Sequence, residues 1–288
     1  MKQNKTIHDK CYTSGSRTFP SSVLNKLLTD FRSYGLPDLK KMANVSFDIT
    51  DNDILYEDNH LIAVNKRAGD IVQVDDTGDE PLDEKVKKYI AKKYNKPNGA
   101  FLGVVHRLDR PVSGVILFAK TSKALERMNE LFKTRQMRKI YYAVVRNRPS
   151  PPYGNLVHWL VKNPKKNVTT AHGHEVKGSL RSELHYRMVG ELNGYYLIQV
   201  NPITGRPHQI RVQLASLNSP IVGDNKYGYP RGSLRKSICL HARRLQFIHP
   251  VKNEPIDIKA PLPKDGFWEK FAHLINDKDD DVVMKTEE

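Results

Sequence analysis

The stretch "LGVVHRLDRPVSGVILFAK", Leu102–Lys120, sets two short apolar runs around a connection crowded with charge. "LGVV" and "VILFA" each have the length of a buried strand and end at turn-forming residues. Between them lie His106, Arg107, Asp109, Arg110, Pro111 and Gly114, so the segment reads as strand, loop, strand. One carboxylate, Asp109, stands in that loop between two guanidiniums. The bland reading is a surface ion pair with Arg107 or Arg110, which contributes little. The functional reading needs a cation from elsewhere in the fold to keep the carboxylate charged and aimed.

Outward from this loop the same punctuation recurs. "ILYEDNHLIAVNKRAG" gives two apolar runs about a turn at Asp58-Asn59. "DEKVKKYIAKKY" puts Val86, Tyr89, Ile90 and Tyr94 on one helical face, and "TSKALERMNELFKTR" does so with Leu125, Met128, Leu131 and Phe132. Thr121 or Ser122 can cap the second helix. "KIYYAVV" is β-rich, and one of its two tyrosines should face the core and the other the opposite side. The Pro/Asn/Lys-rich segment 149–178 reads as loops and short strands. "ELHYRMV" and "YYLIQV" alternate Leu184, Tyr186, Met188 and Tyr196, Ile198, Val200 across a Gly/Asn turn, a hairpin. After "NPITGRP" the spacing of Ile210, Leu214 and Leu217 predicts a helix opening near His208. "LHARRLQFIHP" is a late strand. Strand pairs and helices interleave without a regular βαβ alternation, which predicts an α+β fold: a mixed, mainly antiparallel sheet flanked by helices and loops. Residues 1–50 read as a polar, partly unstructured extension with one amphipathic stretch, "SSVLNKLLTDF". Residues 51–275 form the folded domain, and 276–288 an acidic tail.

The 288 residues carry 47 Lys+Arg against 32 Asp+Glu, a net charge of +15. Such an excess favours a polyanionic partner, because neutralising phosphates releases counterions. Residues 120–148 hold nine basic side chains and two acids, which sharpens the expectation of a nucleic-acid surface. The apolar share of 39% is globular, and no apolar run reaches the roughly 18 residues of a membrane helix. "MKQNKTIHDK" lacks the apolar core of a secretory signal, so a cytoplasmic protein is expected, with no membrane partner. Cys11 and Cys239 are too few for a disulfide framework or a Cys-based zinc site. Phosphate-loop, dinucleotide, zinc-protease and nucleophile-elbow signatures are absent from the sequence, and no metal or cofactor is expected.

A second island, "TGRPHQIRVQLA" (Thr204–Ala215), places Arg206, His208 and Arg211 at a helix start. Arg211 lies beside the apolar stripe rather than opposite it, so it can point toward a cleft and is a credible source of the cation. The competing reading is a helix-start cluster that binds only solvent or phosphate.

The order "ILYEDNHLIAVNKRAG … GVVHRLDRPVSGVILFAKT … RKIYYAVV … TGRPHQIRVQLASLNSPIVGDNKYG … LHARRLQFIHP" resembles the RluA-type pseudouridine synthases, which isomerise uridine in ribosomal and transfer RNA. The resemblance spans about Ile54 to Pro263. It implies a catalytic fold with two halves around a cleft, and Asp109 as the catalytic aspartate. Arg211 would make the ion pair that keeps Asp109 charged, with Ile210 lining the pocket. Tyr141, in the Lys-x-Tyr-x-Ala spacing, would lie against the target base and is the candidate for taking its C5 proton. Arg107 would occupy the place of the flipped nucleotide. His106, Lys66, Arg67, Lys139 and Arg206 are the further RNA contacts expected. Val112 and Pro207 depart from the family's common Thr and Thr/Ser, and residues 1–50 do not resemble the small RNA-binding domain many relatives carry. RNA is the implied partner, with 23S rRNA ahead of tRNA, and the protein is expected to act as a monomer. Two alternatives stay open: a non-catalytic RNA-binding or RNA-folding factor on the same scaffold, and a metal-dependent nuclease.

Overall fold

The computed structural model describes residues 48–230 and 237–276. The amphipathic stretch "SSVLNKLLTDF" and nearly all of the acidic tail lie outside them. Both runs around Asp109 are strands, of unequal length: β3 (Gly103–Val104) and β4 (Ser113–Ala119). Every residue of β4 is buried, because it pairs on one edge with β2 (Leu61–Lys66), from Leu61↔Ala119 to Lys66↔Gly114. β2 is the second arm of a hairpin with β1 (Ile54–Glu57). Asp58 forms the turn between them: its carboxylate accepts the N–H groups of His60 and Leu61, at 2.8 and 2.7 Å.

The other edge of β4 meets β10 (Leu240–Ile248) through His241↔Ser113 and Ala242↔Gly114, the one parallel pairing among the described strands. Gly114 makes this contact feasible. Its φ is +114°, and a Cβ there would lie 2.1 Å from the Ala242 carbonyl oxygen. The sheet continues through β5 (Arg138–Val145), β9 (Tyr195–Pro202), β8 (Leu180–Leu192), β6 (Tyr153–Asn163) and β7 (Val168–His172), with β11 (Pro255–Lys259) on β10. Thus eleven described strands form one mixed, mainly antiparallel sheet, as the patterning predicts. The β8–β9 hairpin turns at Asn193-Gly194, φ 52° and 70°, the pair of positive values a tight two-residue turn requires.

Both faces of the central strands are covered, which explains their continuous apolar runs. On one face α1 (Leu82–Lys93) supplies Leu82, Val86 and Ile90, and α3 (Gln209–Ser216) supplies Ile210 and Leu214. On the other, α2 (Ser122–Lys133) buries Ala124 and Met128. A 3₁₀ segment, Trp268–Leu274, buries Trp268 and Phe271 against Ile140, Tyr142 and Val144. Thr121 caps α2, its Oγ1 accepting the Ala124 N–H at 3.1 Å.

Two details depart from the patterning. Tyr94, expected on the apolar face of α1, is 46% exposed, because it is the residue at which the helix ends. Segment 149–178, expected as loops and short strands, contains the 11-residue β6. β6 pairs with β8 over Tyr153–Leu160 and with β7 over Trp159–Asn163 but buries only Leu160 fully, so backbone pairing and not apolar burial forms it. No helix among the described residues is long and apolar enough to cross a membrane.

Candidate active site

Apolar burial sets the site. Leu108 and Val112, on either side of Asp109, lie in the same core cluster as Ile210 and Leu214, on either side of Arg211. Packing those four side chains together leaves the intervening charged groups face to face. Arg211 Nη1 donates to Asp109 Oδ2 at 2.9 Å across 102 residues of chain. Neither neighbouring guanidinium competes: Arg110 pairs with Asp79, and Arg107 is exposed. The surface-pair reading of Asp109 is therefore not what the fold adopts.

Arg211 is itself held from behind. Its Nε and Nη2 donate to the two oxygens of Asp224 at 2.7 and 2.8 Å, and its guanidinium lies 5.0 Å from the Tyr227 ring centroid. Asp224 is 1% exposed. Burial works against the charge on Arg211, yet the two carboxylates outweigh it and hold the guanidinium more firmly protonated than in water. The bidentate fork to Asp224 fixes the plane of the guanidinium, leaving Nη1 for Asp109. The Asp109 side chain keeps 26% of its exposure, and its Oδ1 has no hydrogen-bond partner among the described residues.

The backbone that presents Asp109 is pinned by Lys66. Its ammonium donates to the carbonyls of Arg67, Arg110 and Val112 at 3.0, 3.1 and 2.7 Å. The Gly69 N–H adds a bond to the Arg110 carbonyl at 2.8 Å. Burial depresses the Lys66 pKa to about 7, partly offset by the charges of Asp70 and Asp109. This corrects the expectation that Lys66 touches RNA phosphates: at 1% exposure it is a peg between the end of β2 and the Asp109 loop. His106, half-buried, also has a structural partner. Its Nε2 accepts the Leu117 N–H at 3.0 Å and its ring stacks on Phe132. Burial, with the nearby Lys139 charge, lowers its pKa to about 3, so it is a neutral structural acceptor.

Tyr141 and Tyr142 divide as alternation requires. Tyr142 is buried in the cluster with Trp268, whereas Tyr141 packs on the Asp109 side against the first cluster. Burial and then the Asp109 charge push the Tyr141 hydroxyl above the ordinary phenol range. Lys139 is on the same side of β5; burial lowers its pKa to about 8. Arg67 is exposed and bonds Asp53 at 2.9 Å. Arg206 is half-buried, its Nε donating to the Arg181 carbonyl at 3.2 Å. Within the basic stretch 120–148, Lys120 pairs with Glu57, Arg127 bonds the Pro250 carbonyl, and Arg146 bonds the β8–β9 turn.

Residues 60–216 match the protein family described as RNA pseudouridylate synthase. The chain belongs to that family. Among similar curated synthases is the ribosomal large subunit pseudouridine synthase C of Vibrio cholerae, 32% identical over 215 residues, or 73% of this chain and 65% of that protein. The tRNA pseudouridine synthase C of the same species is 29% identical over 235 residues, 75% of this chain and 93% of that one. The chain thus spans 65% of the length of the ribosomal relative and nearly all of the transfer-RNA one. Among solved structures, human RNA pseudouridylate synthase domain containing 4 superposes with a TM-score of 0.65 at 25% identity, covering 82% of this chain and 98% of that one. In this chain the residue that sequence reasoning passed over is Asp224. Its only signal was an acid following a glycine beside the apolar "PIV" of "PIVGDNKYG". Tyr227 and Thr169 were equally silent.

Proposed function

We propose that this protein isomerises uridine to pseudouridine in RNA, with Asp109 as the catalytic carboxylate. The observation that carries the reading is the Arg211–Asp109 bond: one carboxylate oxygen held by a buried cation, the other left for a reactant. The reaction breaks the N1–C1′ bond, turns the uracil and joins C5 to C1′, so nothing is oxidised and no group leaves the molecule. A single aimed carboxylate suits this, whether it attacks the nucleoside covalently or removes a sugar proton. A stacked uridine is inaccessible, so the base must be flipped out, and the Tyr141 ring offers it a face. Burial and the Asp109 charge keep the Tyr141 hydroxyl protonated at rest, so the ring face is what Tyr141 offers the base in this state. Arg107, exposed beside Asp109, fits the place vacated by the flipped base.

A purely RNA-binding factor has no use for a buried Asp224–Arg211–Asp109 array, whose assembly costs desolvation of three charges. The substrate we assign is large-subunit rRNA; alignment over 93% of a transfer-RNA synthase favours tRNA as the second reading. Mapping pseudouridines in rRNA and tRNA from a strain lacking this gene decides between them. Restoring the missing sites with purified wild-type protein, but not with Asp109→Asn, tests the enzyme reading. Restoration by Asp109→Asn removes Asp109 from the chemistry.

A further inference from the structure

A second polar chain ends at Asp109, independent of the Asp224–Arg211 pair. The Thr169 N–H, on β7, donates to the Tyr227 hydroxyl oxygen at 2.9 Å. That oxygen is 2.6 Å from His208 Nδ1, and His208 Nε2 faces Asp109 Oδ2 at 4.0 Å. With its oxygen already accepting from Thr169, the Tyr227 hydroxyl has one proton left to give, and Nδ1 is its neighbour. With Nδ1 as the acceptor of that proton, the imidazole proton would reside on Nε2, on the Asp109 side. Thr169 Oγ1 also donates to the Pro207 carbonyl at 3.1 Å, tying β7 to the turn that carries His208. The His208 backbone has φ 57°, a left-handed conformation that places the ring inward at the first step of α3.

We propose that His208, held as its Nε2–H tautomer by Tyr227, is a positioning residue that supplies Asp109 with an uncharged hydrogen-bond donor beside the Arg211 guanidinium. This rests on the reading of Asp109 as the catalytic carboxylate. The two donors differ in use. Arg211 contributes charge and stays fixed by Asp224. His208 Nε2 stands 4.0 Å from the carboxylate oxygen, so a shift of about 1 Å by either side chain brings it to hydrogen-bond distance. The groups whose charge acts on the ring are Asp109, Arg211, Lys226 and Lys162. Burial opposes an imidazolium first; Asp109 works the other way, and Arg211, Lys226 and Lys162 add to the effect of burial, so the pKa is lowered to about 4. The donor is thus neutral throughout the physiological range and does not quench Asp109 as a second cation would.

Two substitutions separate the ring's two nitrogens. Asn tolerates left-handed backbone and reaches only to the Nδ1 position, so His208→Asn keeps the Tyr227 partner and loses the Nε2–H. His208→Gln restores an uncharged N–H at the Nε2 position. The experiment combines ¹⁵N-imidazole NMR of the full chain with single-turnover conversion of total RNA from a strain lacking this gene, at varied enzyme concentration. Wild type is expected to show protonated Nε2 and bare Nδ1, unchanged from about pH 6 to 8. His208→Asn should lose about 30-fold or more in limiting rate with half-saturation unmoved, and His208→Gln should stay within about fivefold of wild type. Tyr227→Phe should give mixed tautomers and an acid limb in the rate. A protonated Nδ1 in wild type, an imidazolium titrating between about pH 6 and 8, or a folded His208→Asn with full rate overturns the proposal. If His208→Asn loses its near-ultraviolet dichroism, Tyr227→Phe decides, and wild-type tautomer with wild-type rate in that variant is the overturning result. The NMR result does not depend on turnover, so an active Asp109→Asn would sink the catalytic assignment while leaving the tautomer standing.

Discussion

Asp58 and Asp109 look alike in the sequence, each an acid in a polar turn between two strands, and the fold treats them oppositely. Asp58 is surrounded: it accepts the N–H groups of His60 and Leu61 and the Tyr56 hydroxyl, and lies 3.1 Å from Lys252 and 3.0 Å from His249. Burial raises its pKa, but those bonds outweigh burial and bring it down to about 2. Asp109 receives one guanidinium from a distant helix and no backbone N–H, and one oxygen is left open. A carboxylate whose lone pairs are all used stabilises a turn. One held from a single side can act on something else.

The largest effect expected to break that comparison is on turnover. Asp109→Asn should reduce conversion of uridine by about 10³-fold or more, while Asp58→Asn leaves the rate of the remaining folded protein within about twofold, by single-turnover assay. Equal losses in both variants would dissolve the distinction. Next comes the residue behind the pair. Asp224→Asn leaves a buried guanidinium half-compensated and should cost about 3 to 5 kcal/mol in urea unfolding. It should also lower the rate, since the plane of Arg211 is no longer fixed.

Asp58→Asn should cost about 1 to 3 kcal/mol at neutral pH, with its charged acceptor gone. Its pH dependence sharpens the point. The folded pKa lies below the ordinary carboxylate value, so the folded state binds fewer protons than the unfolded chain between the two. Asp58 therefore contributes stability that is fully present above about pH 4 and lost as pH falls through about 2. Acid unfolding of the wild type, measured against Asp58→Asn, should show that limb only in the wild type. The smallest effect belongs to a surface pair. Arg67→Ala removes the bond to Asp53 and should change stability by less than about 1 kcal/mol. A larger thermal shift would mean that Arg67 braces the Lys66 peg.

The local grammar of the chain carried much of this. The Asp58 turn, the Asn193-Gly194 hairpin, the Thr121 cap and the apolar faces of α1 and α2 depend on residues within a few positions of each other, so their pattern is visible in one dimension. The charged pair at the site was legible only as a need: Asp109 required a cation, and Arg211 stood where a helix face could offer one. Lys66 was misread because a basic residue beside a motif looks the same whether its nitrogen meets a phosphate or a buried carbonyl. β6 was misread because a strand held by backbone pairing leaves little apolar alternation.

By itself the amino-acid sequence determined the locally patterned strands, turns and helices and the mixed α+β class, because propensity and periodicity are properties of neighbouring residues. Only the tertiary structure decided which acid is satisfied and which is left open. That choice depends on Leu108, Val112, Ile210 and Leu214 packing into one cluster, and on Gly114 admitting β10 alongside β4. Contacts across a hundred residues of chain are set by volume and burial, which leave no local mark.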